Sequence, residues 1–318
     1  MLQLYEGVTP VRRVVLGSRD PEEQVRLIIW TAPDRLVAIV QRMSEPYARY
    51  VRARYAVGVD AAHGRVLFRT RFDRRLSLTG SGTSGGRVAL LYQSSSLLAR
   101  RARLTVIGAD GAVRSAPLRF GGGPTLRRIA GLAVHPALPR AYVVLSGGRV
   151  AVVSLRTLHV RYHIVHILPG PASDAPFVLL QAQSLGRHAV VVSGLFVRSS
   201  TGREHSVGIS VLDTRTWRVR PIDPRASTFA VVGNTVVTAG RGVTGYTADG
   251  ARLYHLLDAT PVSRIQIVQG RAHAWFGGTR RLGSPTRVMI FGPRSGTVFG
   301  RVTMSGRIRV AVLDSSGY

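Results

Sequence analysis

The chain has 318 residues, 45% hydrophobic and 7% aromatic, a composition that buries a core and excludes an intrinsically disordered protein. It has no cysteine, which excludes disulfides, thiolate metal sites and cysteine nucleophiles. All 44 basic residues are arginine against 16 acidic residues, and the resulting formal charge of +28 attracts polyanions, although so pure an arginine content reflects GC-rich codons as much as a selected partner.

In chain order, the opening LQLYEGVTPVRRVV reads as a strand, a turn and a strand, with no basic segment leading into an apolar one. No apolar run anywhere approaches the roughly 18 residues of a membrane span. The expectation is a chain with no transmembrane segment, cytoplasmic as it stands, or extracellular or in the cell envelope if a leader was removed.

From residue 20 a repeat takes over. Its first half is an apolar strand, a turn of Gly, Asp or Pro followed by Arg or Asn, and a second strand. These turns fall at Asp34-Arg35, Gly86-Arg87, Pro139-Arg140, Gly186-Arg187, Gly233-Asn234 and Gly270-Arg271. The second half, a strand, a small polar turn and another strand, recurs as YAVGVDAAHGRVLFRT from Tyr55, RLTVIGADGAVRSAPL from Arg103, RVAVVSLRTLHVRYHI from Arg149, GISVLDTRTWRVRPID from Gly208, GVTGYTADGARLYHLL from Gly242 and RVMIFGPRSGTVFGRV from Arg287. The halves interleave in order with a mean spacing of about 47 residues, in the range of propellers and solenoids. Val-rich strands, Gly, Asp and Ser at the corners and no helical period predict units of four antiparallel strands, the blades of a single all-β propeller.

The predicted blades are 20–71, 73–120, 126–168, 176–223, 226–258 and 262–303. The C-terminal RIRVAVLDSSGY fits a first strand with its turn at Gly317-Tyr318, about one period after the preceding copy. Residues 307–318 and 2–17 are therefore expected to share a closing seventh blade, which removes exposed edges; six blades is the alternative count.

One unit, HPALPRAYVVLSGGRVAVVSLRT from His135 to Thr157, resembles the YVTN-type β-propeller repeat, a relative of the WD40-like and quinoprotein-like propellers. The other units share its outline and lack the Trp-Asp signature of WD40 blades. The resemblance implies the fold and leaves activity open, since such propellers include binders, lactonases and dehydrogenases.

Three stretches invite chemical readings. GSGTSGG (Gly80–Gly86) satisfies both the phosphate-cradling G-x-G-x-x-G and the nucleophile-elbow G-x-S-x-G, but both mechanisms need a following helix and RVALLYQ reads as a strand, so a flexible inter-strand turn is expected. HVRYHIVH supplies His159, His163 and His166; on a strand the first two share a face and the third points away, which suits an outer strand better than a metal site. Asp60, Asp110, Asp213, Asp249 and Asp314 fall in turns, where Asp caps its own backbone, which leaves Asp174, Asp223 and Asp258 between units for any central cation. No catalytic residue, metal ligand or cofactor follows from these patterns.

The sharper signal is in the connections between second and third strands, which emerge on one face. Four of the six are long, and they carry Arg52, Arg54, Arg100, Arg101, Arg103, Arg198, Arg203, Arg280 and Arg281, with Tyr47 and Tyr50 available for stacking. Opposite-face turns mix Arg156, Arg215 and Arg294 with aspartates and are expected to lie nearer neutrality. The function expected is a non-enzymatic, monomeric binding scaffold for protein–protein interaction or an envelope polyanion. Its anionic partner, an acidic protein, an envelope polysaccharide or a phospholipid surface, with nucleic acid less favoured, would meet the Arg-rich loops. The alternative is a propeller enzyme, a lactonase-like hydrolase or quinoprotein-like oxidoreductase, with its site at the channel mouth.

Overall fold

A computed structural model of the protein describes residues 2–6, 9–14, 23–43, 51–72, 77–93, 101–119, 127–128, 130–145, 149–165, 177–197, 204–268, 270–277 and 286–304. Strands β1 (Leu2–Glu6) and β2 (Thr9–Val14) pair as an antiparallel hairpin. Two four-stranded antiparallel sheets follow: β3 (Glu23–Ala32), β4 (Arg35–Met43), β5 (Val51–Asp60) and β6 (Arg65–Phe72), then β7 (Ser77–Ser84), β8 (Arg87–Gln93), β9 (Arg101–Ile107) and β10 (Val113–Arg119). After the short β11 (Arg127–Arg128) comes the sheet β12 (Ala130–Val134), β13 (Arg140–Leu145), β14 (Arg149–Ser154) and β15 (Val160–Ile164). The next comprises β16 (Phe177–Leu185), β17 (Ala189–Val197), β18 (Glu204–Asp213) and β19 (Val219–Asp223), with β11 added in parallel at the free edge of β16.

The remaining six strands, β20 (Thr228–Val232), β21 (Thr235–Thr247), β22 (Arg252–Val268), β23 (Arg271–Gly277), β24 (Thr286–Phe291) and β25 (Val298–Met304), form one sheet made of two blades. Within β21 the chain folds back: Thr238 Oγ1 donates to the carbonyl of Thr244 at 3.3 Å, and Gly242 between them has φ 99°, open mainly to glycine. Strand β22 pairs with β21 through Arg252–Leu256 and with β23 through Val262–Val268, so one long strand closes the fifth blade and opens the sixth.

First strands neighbour one another in the order β3, β7, β12, β16, β20, which makes them the inner wall of a ring. Each blade is apolar on both faces because each is covered on both. Val37 and Ile39 pack with Val88 and Leu90 of the second blade, while Leu36, Ala38 and Val40, on the other face, build a separate buried cluster. The alternation repeats: Ala89 and Leu91 join Leu132 and Val143, and Tyr142 and Val144 join Val190 and Leu212. This is why the strands read as continuous Val-rich runs. Inner strands also approach closely. A Cβ on Gly82 would sit 2.6 Å from Val134 Cγ2, and one on Gly80 would sit 3.0 Å from Leu132 Cβ. GSGTSGG is thus an inner strand up to Ser84, with only Gly85–Gly86 in a turn, and its glycines serve packing of β7 on β12 rather than flexibility.

A second recurring device sits at the outer corner. The turn between third and fourth strands ends in a left-handed residue whose N–H returns to the residue that opens the turn: Gly64 to Asp60, Gly111 to Gly108, Leu158 to Ser154, Trp217 to Asp213, Gly250 to Thr247 and Gly296 to Gly292. A fourth-strand side chain of the preceding blade latches onto this corner. Phe68 lies against Gly111, Arg114 Nη1 donates to Arg156 O at 2.7 Å, His163 stacks on Trp217, Arg220 Nη2 donates to Ala248 O at 2.9 Å, and Tyr254 OH donates to Pro293 O at 2.7 Å. The closing-blade segment 307–318 lies outside the described residues.

Candidate functional site

The two ends of the ring differ in how far the structure describes them. On the long-connection end, Tyr47, Tyr50, Arg100, Arg198, Arg203, Arg280 and Arg281 lie outside the described residues. Arg101 opens β9 opposite Arg119. Arg52 is exposed on β5, and Arg103 is half-buried on β9, paired in register with Tyr92. Arg54 differs from the rest: it is 4% exposed, with its guanidinium 5.0 Å from the centre of the Tyr92 ring, which in turn meets Phe72 at 5.8 Å. Burial pushes the Tyr92 phenol well above its ordinary range, so it stays neutral beside the cation. Arg54 therefore packs in the seam between the first two blades, and nothing in the sequence pattern signals that it turns inward.

At the other end, first and third turns of each blade share a face. Ala61 N donates to Asp34 O at 2.7 Å, Leu155 N to Pro139 O at 2.8 Å and Thr214 N to His188 O at 2.8 Å. Adjacent blades also touch through their first turns. Ser84 Oγ donates to Leu138 O at 2.9 Å, and the imidazole of His135 meets Arg187 O at 3.0 Å through Nε2 while Nδ1 accepts from the N–H groups of Ala137 and Leu138 at 3.1 and 2.9 Å. Asn234 Oδ1 abuts Gly186, and the Arg294 guanidinium abuts Gly233. The first turns of the second to fifth blades therefore form a continuous arc, with the third turn of the sixth blade against its end.

The first turns carry Arg35, Arg87, Arg140, Arg187 and Arg271; four of these open the second strand of their blade, Arg187 lies within its turn, and the fifth blade has Asn234 in the turn and Thr235 at the strand start. Among the described residues none of these five guanidiniums pairs with a carboxylate. The aspartates nearby are engaged by their own turns: Asp213 Oδ1 accepts from Arg215 N and Thr216 N at 2.7 and 3.1 Å, and Asp110 Oδ1 from Ala112 N at 3.0 Å. Backbone N–H donors hold the Asp213 carboxyl below its ordinary range, the Thr247 hydroxyl does the same for Asp249, and the His63 N–H with the His63 and Arg65 side chains brings Asp60 to about 2. This end, expected to lie near neutrality, carries the first-turn arginines in addition to the third-turn mixture of arginine and charged aspartates, so its positive excess is larger than the third turns alone suggest. The expectation weighed only the third turns, and the first turns share their face.

Between the rims the channel contains a cavity of about 500 Å³ lined by Thr79, Ser81, Thr83, Gln181, Gln183, Ser184 and Arg264 among others. The described lining has hydroxyls, amides and one guanidinium, and no carboxylate or imidazole. Ser84, the candidate nucleophile, is 5% exposed and occupied by Leu138 O. Asp223 caps the link to the fifth blade, accepting from Arg225 N, Ala226 N and Thr238 Oγ1, and Asp258 pairs with His255 at 2.8 Å. Asp174 and His166 lie outside the described residues. Among the described residues no three His, Asp or Glu side chains gather as metal ligands, and no helix is long and apolar enough to cross a membrane.

No protein-family model matches the chain, and no curated protein is similar enough to count as a relative. Solved structures do match its backbone. The β-propeller domain of the Trilobed protease from Pyrococcus furiosus, described as having an open velcro topology, is 7% identical with a TM-score of 0.53 over 90% of this chain and 84% of its own. The uncharacterized protein lmo1340 from Listeria monocytogenes EGD-e is 11% identical with a TM-score of 0.53, covering 92% and 86%. The Cps50 (Swd1) β-propeller domain of Myceliophteria thermophila is 11% identical with a TM-score of 0.52, covering 88% and 87%. At such identities the likeness establishes architecture alone: the chain is an all-β propeller.

Proposed function

We propose that the protein is a non-enzymatic scaffold that binds an anionic macromolecule, an acidic protein in the first instance, through its arginine-rich rim. The supporting observation is that among the described residues the first-turn arginines Arg35, Arg87, Arg140, Arg187 and Arg271 pair with no carboxylate, while Asp110 and Asp213 accept from their own turns and Asp60 is held by His63 and Arg65. Arginine presented this way forks onto carboxylate, sulfate or phosphate oxygens. Arg100, Arg198, Arg203, Arg280 and Arg281 of the long connections, with Tyr47 and Tyr50 and with Arg52, Arg101 and Arg103 at the starts of β5 and β9, are the proposed contact set, because binding residues concentrate in the connections of a rigid scaffold.

The test compares poly-glutamate, heparin and phosphatidylglycerol vesicles as probes across a salt series. Replacing Arg100, Arg101, Arg280 and Arg281 together by Ala should weaken poly-glutamate binding and reduce its salt dependence. A parallel variant with Arg35, Arg87, Arg140 and Arg187 replaced by Ala reports on the other rim. Unchanged binding in the first variant overturns the loop-face assignment. Binding confined to vesicles overturns the acidic-protein assignment.

A further inference from the structure

We infer that the cleft between the third and fourth blades is a binding site for a small phosphorylated compound that carries a ring. Its first support is an exception to the corner rule. Four of the six corners have Gly at the left-handed position, the third blade has Leu158 there at φ 61°, and the fourth has the one aromatic among them, Trp217 at φ 58°. A bulky aromatic in that region carries a backbone cost, so its presence points to a use for the ring. At the other junctions where a ring serves as latch, Phe68 or Tyr254 on the strand packs against glycine; here the large ring is on the turn and faces the imidazole of His163, 3.7 Å away and inclined by 12°.

The second support is what surrounds that ring. A groove of about 600 Å³ opens beside it, within the roughly 300–1,000 Å³ of small-molecule sites. Strand alternation puts His159, Arg161 and His163 on the groove side of β15, while Tyr162 turns the other way and its hydroxyl accepts from Arg119 N at 2.9 Å. Arg140, from the arc of first turns, enters the same groove. Arg161 Nε lies 3.5 Å from His159 Nε2, and among the described residues no carboxylate lines the groove. Two guanidiniums repel the divalent cation that a histidine cluster otherwise suggests, and they offer forked donors to a phosphate. The Trp217 edge, with Leu138 and Val152, supplies the apolar wall for the ring.

Calorimetric titration of the full chain with inorganic phosphate, glucose 6-phosphate and adenosine 5′-monophosphate tests this. All three should bind, the ring compounds more tightly, and whichever of the last two is tighter identifies a sugar phosphate or a nucleotide as the natural class. Arg140→Ala with Arg161→Ala should weaken all three by about tenfold or more. Trp217→Gly, which suits the left-handed corner, should leave inorganic phosphate unchanged and remove the preference for ring compounds. The four-Ala variant of the long loops should titrate like the parent protein, which separates this site from the proposed scaffold surface. The inference is overturned if no probe saturates at millimolar concentration, if the Arg140/Arg161 variant binds like the parent, or if zinc binds through His159 and His163 instead.

Discussion

His135 offers a direct test of how the ring is held together. It is 2% exposed although its neighbours Pro136, Ala137 and Leu138 are exposed, and it makes three hydrogen bonds: two accepted at Nδ1 within its own turn and one at Nε2 to Arg187 O in the next blade. That pattern assigns the tautomer with the proton on Nε2. His135→Ala removes all three bonds and a buried ring. Because the orphaned N–H groups sit on an exposed turn where water can reach them, each bond counts at its net value of about 1 kcal/mol, giving a loss of about 3 kcal/mol. For a chain of 318 residues that lowers Tm by about 4–5 °C. Differential scanning calorimetry at neutral pH measures it, with Leu138→Ala on the same turn as the control for general disturbance. A loss under about 0.5 kcal/mol, the level of an ordinary surface change, refutes the bridging role.

Other consequences are as specific. Gly82→Ala places a methyl against Val134 with no room to move outward, so it should cost about 1–3 kcal/mol in thermal unfolding. Gly300→Ala, on an outer strand with nothing nearby, should cost well under that. Arg54→Ala strips a buried cation from the Tyr92 face and should destabilise by about 2 kcal/mol or more, whereas Arg52→Ala, exposed two residues earlier, should not alter Tm. Asp60 titrates at about 2 in the folded protein against an ordinary 3.8, so its stabilising contribution is complete above pH 4 and is lost as pH falls toward 2. Asp60→Asn should flatten the acid limb of the stability profile over that window, and an unchanged limb would falsify the assignment.

Much of the architecture is legible in the letters because repetition makes it redundant. Turn chemistry at six first turns and six third turns gives the four-stranded unit without any single decisive residue. What is not legible is direction. Ser84, Arg54 and His135 read as a reactive turn, a surface cation and a corner, and all three prove to be buried contacts between blades, because the neighbouring blade that buries them is about 47 residues away in sequence. The Gly58–Phe68 pair shows the same limit: the ring occupies the space a Cβ would need on the facing strand, a fit that composition does not signal. His163 lies on the outer strand β15 with His159 just before its start, and both line one groove, but their meaning depends on Trp217, which belongs to the next blade.

Arginine placement bears on whether the charge is selected. A GC-rich genome raises arginine everywhere, and with 44 arginines among 318 residues roughly one of six equivalent first-turn positions would hold one by composition. Four of the six second strands open on arginine, at Arg35, Arg87, Arg140 and Arg271, while the fourth and fifth blades have Ala189 and Thr235 there and Arg187 lies two residues earlier, inside its turn. Turn geometry does not demand the side chain, since Ala189 and Thr235 fill the other two positions. Codon usage accounts for arginine in place of lysine, but composition alone does not account for arginine at the start of four of the six second strands. A positional constraint of that kind fits contact with an extended anionic surface, and it makes the first-turn rim as informative as the long loops for locating the partner.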